Sequence, residues 1–446
     1  MKLRLFFPFI VLLSTLGVPM LRADDSITLE QARTHAVARS KTLQKLLLSV
    51  DAARLDEKIQ SYTLLPSITA TVGASVAVPE ATLLDMLGAS AGLTLTQTVY
   101  DGGKSSLLSA IDSLATSIAR ESARDQYFSV LSAADTAYYN TLAAAASVVA
   151  AQSDLDDAQA NQNLAQAKNE VGILSQSDYM KTESETAAKK TSLVQAQGKL
   201  SVAQRTLASL TGLPLPLKLA TAESERYNEL MRHFEGYTDQ KIETLITNLL
   251  EAAAKNNPSL SQSGLASQKA ERAVDLARAD YLPSISASWS NDLLFGNWSS
   301  SSSTNSIGVG SSALSITASL PLDMWNTQAS VESKTLAARQ AALEQKETQR
   351  TLDLEIEGAV FDSVSSARAV SSSQKALDYA ESHYQSVLER YKLSSASVSD
   401  MSDAELLVST NRSSLISARY QFLSNISSLR TMAGFETDDL LIGIVP

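Results

Sequence analysis

The 446-residue chain has no cysteine. Disulfides, thiolate zinc sites, a cysteine nucleophile and a lipid-modified N-terminal cysteine are thereby excluded. Its three histidines, His35, His233 and His383, are scattered and share no metal-ligand spacing. There is no Gly-x-Ser-x-Gly nucleophile elbow and no phosphate loop of the form Gly-x-x-x-x-Gly-Lys-Ser/Thr. Gly308-Val309-Gly310-Ser311 sits in strand-like sequence without the helix that a phosphate loop needs. No catalytic residue, metal ligand or cofactor is expected, and the chain reads as a non-enzyme. Aromatic residues make up only 6% although apolar residues reach 44%, so Ala, Leu and Val dominate, as in closely packed helices. With 37 Lys and Arg against 48 Asp and Glu, net −11, nucleic acid is disfavoured as a partner.

Long apolar runs are missing too, apart from the N-terminus. Residues 1–23 open with Lys2 and Arg4, continue apolar from Leu5 to Leu16, and end Met20-Leu21-Arg22-Ala23. That is the pattern of a secretory signal cleaved after Ala23. A membrane anchor is the competing reading, but the stretch is short for a spanning helix and contains Pro8. No later segment offers roughly twenty apolar residues, so entry into a membrane requires a closed barrel.

What is present is an internal repeat. Leu65-Pro66-Ser67-Ile68 recurs 217 residues on as Leu282-Pro283-Ser284-Ile285. Tyr139 answers to Phe361, Asp178 to Asp400, Glu183 to Glu405 and Gly212 to Gly434, all at 222. The change of register places a longer insertion in the second copy. The expected organisation is a signal at 1–23, a first repeat at 24–212, a connector at 213–241, a second repeat at 242–434 and a tail at 435–446. Strand pairs are expected at about 66–100 and 283–322, followed by long helices. The connector, with Pro214 and Pro216 and then a charged tract, carries no legible function.

Each copy changes period in the same order. Ile27 to Leu65 is helical, with Leu29, Ala32, Ala36, Leu43, Leu47 and Val50 at helical spacing, and Leu65-Pro66 ends it. Ile68, Ala70, Val72, Ala74, Val76 and Val78 alternate as in a strand. Pro79 to Ser90 reads as a loop, Leu93, Leu95 and Val99 as a second strand, and Asp101-Gly102-Gly103 as a turn. In the second copy Ile285, Ala287 and Trp289 alternate with serines, Ser299 to Ser303 is an exposed tip, and Leu314, Ile316, Ala318 and Leu320 alternate with Ser315, Thr317 and Ser319. An apolar face opposite a hydroxyl-lined one suits a wall between lipid and water. It equally suits a sandwich strand, and the strands alone favour the sandwich. Trp289, Trp298 and Trp325 flank the second pair as interfacial anchors or as gap fillers.

Between Lys104 and Asn169 there is neither proline nor glycine, so one helix can run roughly 100 Å at 1.5 Å per residue. Leu193, Ala196, Leu200, Ala203, Leu207 and Leu210, and again Leu415, Ala418, Phe422, Asn425, Leu429 and Met432, step by three and four, as in a coiled-coil seam. The long helices break at Val171-Gly172 and at Tyr391 to Asp400, giving each copy a helical hairpin. Ser175, Ser177 or Asp178 is placed to cap one return helix, and Ser402 with Glu405 has capping-box spacing on the other. Asp178, Asp400 and Asp403 either complement helix dipoles or, with several chains around one axis, form acidic rings that select cations.

The doubled order of strand pair, long helix, broken tip and heptad helix ending in glycine, with Leu-Thr-Gly in the first copy, resembles the TolC-like outer-membrane efflux and secretion proteins. Leu65-Pro66-Ser67, Leu93 to Gly103, Val171-Gly172 to Asp178, Leu210-Thr211-Gly212, Asn256-Asn257-Pro258 and Leu282-Pro283-Ser284 carry the likeness, across essentially the whole mature chain. The resemblance implies a mainly α fold with four transmembrane strands per chain. A homotrimer would complete a twelve-stranded barrel in the outer membrane, with a coiled-coil helical barrel in the periplasm. It implies a passive exit duct working with a periplasmic adaptor protein and an inner-membrane transporter. By the same resemblance Asp178, Tyr391, Asp400 and Asp403 belong to the periplasmic constriction. Gly172, Ile173 and Leu174, with Ser394, Ser395 and Ala396, belong to the adaptor-contacting tips. Three positions depart from the family pattern: Ser394 replaces a tip glycine, Ala396 an arginine that helps lock the gate in some members, and Thr98 a proline that the second copy keeps as Pro321. The alternative is a secreted or periplasmic coiled-coil scaffold without a pore.

Overall fold

A computed structural model describes residues 26–63, 65–76, 87–220, 225–295 and 307–436. The signal segment, Trp298 and the Ser299–Ser303 tip fall outside them. The first copy contains α1 (Leu29–Arg39), α2 (Lys41–Tyr62), β1 (Ser67–Val76), β2 (Leu87–Tyr100), α3 (Lys104–Glu170) and α4 (Gln176–Thr211). After α5 (Glu225–Glu235) the second copy follows: α6 (Asp239–Asn256), α7 (Pro258–Ala279), β3 (Ser284–Phe295), β4 (Ile307–Ser319), α8 (Met324–Lys392) and α9 (Val398–Met432). The fold is mainly helical with one four-stranded sheet. Among the described residues no helix is long and apolar enough to cross a membrane.

Contacts divide the chain into two units. One comprises Lys41–Ser129, Gln240–Val360 and Leu429–Pro446 and holds the sheet. Its strands are antiparallel in the order β1-β2-β3-β4, so β1 and β4 are free edges. The register puts Ile68, Leu95, Trp289 and Leu314 in one row across all four strands. The next row, on the opposite face, is Ser67, Thr96, Ser288 and Ser315, and the Ser288 and Ser315 hydroxyls lie 2.8 Å apart. No second sheet covers the apolar row among the described residues: Ile68 is 70% exposed and Leu314 76%. The sandwich reading is thereby corrected, because no described residue supplies the facing layer. Apart from β1, whose expected Val78 falls outside the described residues, the strands are also longer than periodicity suggests. Leu87 to Ser90, expected as loop, pair with Gly73 to Val76; small residues such as Gly88 and Ala89 give no alternation to detect. At the end of β2, Asp101 accepts hydrogen bonds from Gly103 N at 3.0 Å and Ser105 N at 2.7 Å, which starts α3. Gly102, at φ +69°, tolerates no side chain, since a Cβ there would meet Leu282 Cβ at 2.8 Å. Lys104 is paired with Asp280 at 2.7 Å.

The other unit comprises Met1–Ser40, Val130–Asp239 and Phe361–Ser428. Here α1, with a Thr28–Gln31 capping box, ends at Ser40. The expected single helix from Ile27 to Leu65 is therefore two helices. Ser40 adopts extended geometry, and the break needs neither proline nor glycine. Arg33 of α1 is buried against Asp135 of α3, with Nε and Nη2 donating at 2.6 and 2.8 Å. Ile27 forms a parallel bridge to Leu219, and the Tyr138 hydroxyl lies within 3.0 Å of both Ile27 O and Ala220 O. Phe234 of α5 is fully buried against Phe422. Residues assigned to a connector thus pack into this unit's core.

Candidate functional site

The hairpin tips are built twice on one plan. In the first, Gly172 stands at φ +76°, its N–H donates to Asn169 O at 2.9 Å, and Ile173 N donates to Lys168 O at 2.9 Å. In the second, Ser394 stands at φ +59°, donates to Tyr391 O at 3.0 Å, and Ser395 N donates to Arg390 O at 2.8 Å. Both are helix C-terminal caps that satisfy the last carbonyls through a left-handed residue. The return helices also start alike. Asp178 N donates to Ser175 Oγ at 3.1 Å while Ser175 Oγ donates to the Asp178 carboxylate at 2.8 Å. Asp400 N donates to Ser397 Oγ at 3.1 Å, and Ser397 N and Oγ both donate back at 2.8 Å. The expected Ser402–Glu405 capping box does not form, because α9 starts a turn earlier and both side chains are engaged elsewhere.

This places the sequence candidates. Asp178 and Asp400 are exposed capping residues in first helical turns, and Asp403 is exposed one turn along α9. The two bonds from Ser397 hold the Asp400 carboxyl below its usual range. Tyr391 is buried, and its hydroxyl has no protein hydrogen-bond partner. Burial pushes the phenol up, and the Asp178 charge adds to that, though no hydrogen bond joins the two. Gly172, Ile173, Ser394 and Ser395 are exposed. Leu174 and Ala396 instead pack half-buried against the cluster of Leu377, Ala380, Tyr384, Val387, Tyr391, Val398, Met401, Ala404 and Val408. Its α8 members step by three and four, as a seam between antiparallel helices requires.

Sequence reasoning missed the polar ties beneath the tips. Lys168, near the end of α3, is buried; its Nζ donates to Tyr391 O and, at 3.2 Å, to Ser394 Oγ, and lies 4.1 Å from the Tyr391 ring centroid. Burial lowers its ammonium pKa. One level along, Asn161 of α3 donates to Glu405 at 3.1 Å and to the Tyr384 hydroxyl at 3.3 Å. Lys189 of α4 approaches Glu405 at 3.5 Å. Burial raises the Glu405 carboxyl against the pull of Lys189 and Asn161, with Glu185 adding to the rise. Beyond it Arg412 of α9 pairs with Asp154 at 2.7 Å and Glu381 at 3.3 Å. A cavity of about 10 Å³ between these layers is lined by Asn161, Glu185, Tyr391, Met401, Ser402 and Glu405. The only sequence signal for this set was a polar residue interrupting an otherwise apolar seam. Among the described residues no cluster of potential metal ligands occurs. The arrangement ties the ends of α3 and α4 to α8 and α9.

The outer membrane efflux protein family matches residues 33–213 and 249–435, one segment in each copy. In three dimensions the chain is similar to the transmembrane channel protein CusC, with TM-score 0.76 and 17% identity over 91% of this chain and 92% of the other. It is also similar to the CmeC outer membrane channel of Campylobacter jejuni (TM-score 0.74, 16% identity, 93% and 88% covered). The outer membrane protein VceC of Vibrio cholerae gives TM-score 0.74 and 16% identity, with 91% and 96% covered. Among curated protein sequences none matches.

Proposed function

Because this chain belongs to the outer membrane efflux protein family, we propose that it forms the passive exit duct of an export system. Three copies close their four-stranded sheets into one barrel in the outer membrane and continue it as a tube of helices through the periplasm. The carrying observation is the sheet: an uncovered apolar row, a hydroxyl row behind it, and two free edges. In lipid, unpaired edges are prohibitive, and closure across subunits removes them. Apolar side chains then face lipid and hydroxyls face a wet lumen. A pore-free scaffold leaves the apolar row with nothing to face.

Solute moves through such a duct by diffusion, and a partner transporter in the inner membrane supplies the energy. Gly172, Ile173, Ser394 and Ser395 present the tip surface for a periplasmic adaptor, with Leu174 and Ala396 bracing it from within. Asp178, Tyr391, Asp400 and Asp403 form the constriction, and Lys168 is the tie that seats Tyr391. Purified protein should give stepwise conductance in a planar bilayer and heat-sensitive trimers in outer-membrane extracts. Release by osmotic shock together with no conductance would refute the duct. Asp400→Asn with Asp403→Asn should weaken block by multivalent cations; unchanged block would remove both residues from the constriction.

A further inference from the structure

The small cavity beneath the tips has a hydrogen-bonding balance that the protein does not close by itself. It lies where the four long helices meet: α3 contributes Asn161, α4 Thr182 and Glu185, α8 Tyr391, and α9 Ser402 and Glu405. Tyr391 is 3% exposed, and the Glu405 side chain 12%. Among the lining atoms, the Tyr391 hydroxyl and Glu405 Oε1 are buried with no hydrogen-bond partner in the protein.

The remaining side-chain donors on the cavity wall are already spent. Asn161 Nδ2 serves Glu405 at 3.1 Å and the Tyr384 hydroxyl at 3.3 Å. The Thr182 hydroxyl donates to Tyr179 O at 2.8 Å, and the Ser402 hydroxyl donates to Glu185. What is left is one O–H donor on α8 and one carboxylate acceptor on α9. Buried polar atoms of native proteins are almost always paired, with protein or with an internal water.

We propose that this cavity is a binding site for one water molecule, which accepts from the Tyr391 hydroxyl and donates to Glu405 Oε1. Its second hydrogen goes to the Glu185 carboxylate, which completes the three bonds usual for an internal water. Size and charge select the ligand. A volume of about 10 Å³ takes one water and nothing larger. The two carboxylates are already balanced by two ammonium groups, Lys189 at 3.5 Å from Glu405 and Lys181 at 3.9 Å from Glu185. A cation would therefore bring an unneeded charge to a buried place. The water does for α8 what Asn161 and Lys189 do for α3 and α4: it fastens the helix to Glu405. It also acts on the residue whose carbonyl oxygen closes the second tip, since Tyr391 O accepts from Ser394 N and Lys168 Nζ.

The site lies within one chain, so its test does not depend on the duct. A crystal structure of the full protein with ordered solvent should show one water within hydrogen-bonding reach of Tyr391 Oη and Glu405 Oε1. A dry cavity, an ion at metal–oxygen distances, or a direct bond from the Tyr391 hydroxyl to any protein atom overturns the proposal. Tyr391→Phe gives an independent readout, because its sign differs between the two cases. Removing a hydroxyl bonded to water loosens the tip, and the Ser394 and Ser395 amides should exchange roughly fivefold faster, the effect of one net hydrogen bond. Removing an unmet hydroxyl relieves a cost instead, so equal or slower exchange in Tyr391→Phe also overturns the site.

Discussion

The second hairpin tip contains a backbone liability whose size can be worked out. Ser394 holds φ at 59°, whereas its counterpart in the first tip is Gly172 at 76°. An L-residue in that region costs about 1–2 kcal/mol, and glycine in its place gives back about 0.5–1 kcal/mol through its larger unfolded-state entropy. The Ser394 hydroxyl also accepts from Lys168 at 3.2 Å, a bond to a charged donor near the weak end of its range, about 1 kcal/mol. Ser394→Ala keeps the strain and removes the bond; Ser394→Gly removes both. Because the bond is lost in each, their difference isolates the backbone. Ser394→Gly should sit near wild type, and Ser394→Ala about 1 kcal/mol below it. Local opening can be read by amide hydrogen exchange at Ser394 and Ser395, whose N–H groups close the tip onto Tyr391 O and Arg390 O. One kcal/mol is about a fivefold change, so the tip amides of Ser394→Ala should exchange about five times faster than those of the other two. Equal exchange in the alanine and glycine variants would refute the strain argument. A Ser394→Ala tip as protected as wild type would refute the Lys168 contribution.

Arg33→Met removes the cation from the fully buried Asp135 and should cost about 3–5 kcal/mol, seen as a lower thermal midpoint in detergent; adding Asp135→Leu should recover most of it. Gly434→Ala drives a Cβ to 2.5 Å from Asn256 O at φ +74°, whereas at Gly172 an added Cβ meets nothing within 4 Å. Gly434→Ala should therefore lower the midpoint well beyond the roughly 1 kcal/mol expected of Gly172→Ala, and equal shifts would contradict the clash. Glu405 holds its proton to higher pH folded than unfolded, so its contribution is present in acid and lost as pH rises through the raised value. Wild type should gain stability relative to Glu405→Gln on acidification from neutral pH, and parallel pH profiles of the two unfolding midpoints would remove Glu405 as the cause.

How much of this could be read from residues alone depended on whether a feature announces itself locally. The 67-residue α3 follows from an absence of proline and glycine, and the repeat follows from matched Leu-Pro-Ser punctuation and the matched glycines Gly212 and Gly434. The break between α1 and α2 is not marked locally, because a lone serine such as Ser40 inside a helical pattern, with no proline or glycine beside it, does not by itself signal a cap. Its counterpart 217 residues on is Asn257, and there the cap and Pro258 at the helix start mark the same break. Comparing the copies would have located it, since a boundary flagged in one repeat applies to the other. The polar ties were illegible for a different reason. Asn161 meets Tyr384 and Glu405 at separations of 223 and 244 residues, and Arg412 meets Asp154 at 258. No local period relates such positions, and a lysine such as Lys168 near a helix end reads as a solvated, dipole-favoured charge until tertiary packing buries it.

The sheet shows where pattern reasoning misjudges environment even when it places the elements well. Period-two alternation reports that one face is apolar, and a protein core and a lipid bilayer ask for the same face. What separates them is the presence of a second layer, a property of the rest of the chain. Here no described residue supplies it. The seams of α8 and α9 cover each other, and Ile68, Val72, Leu314 and Ile316 are left bare. A single globular chain does not leave such a row exposed beside two free strand edges. In the proposed duct the row and the edges are one fact, since a closure pairing β1 with the next protomer's β4 would also turn the apolar face outward all the way round.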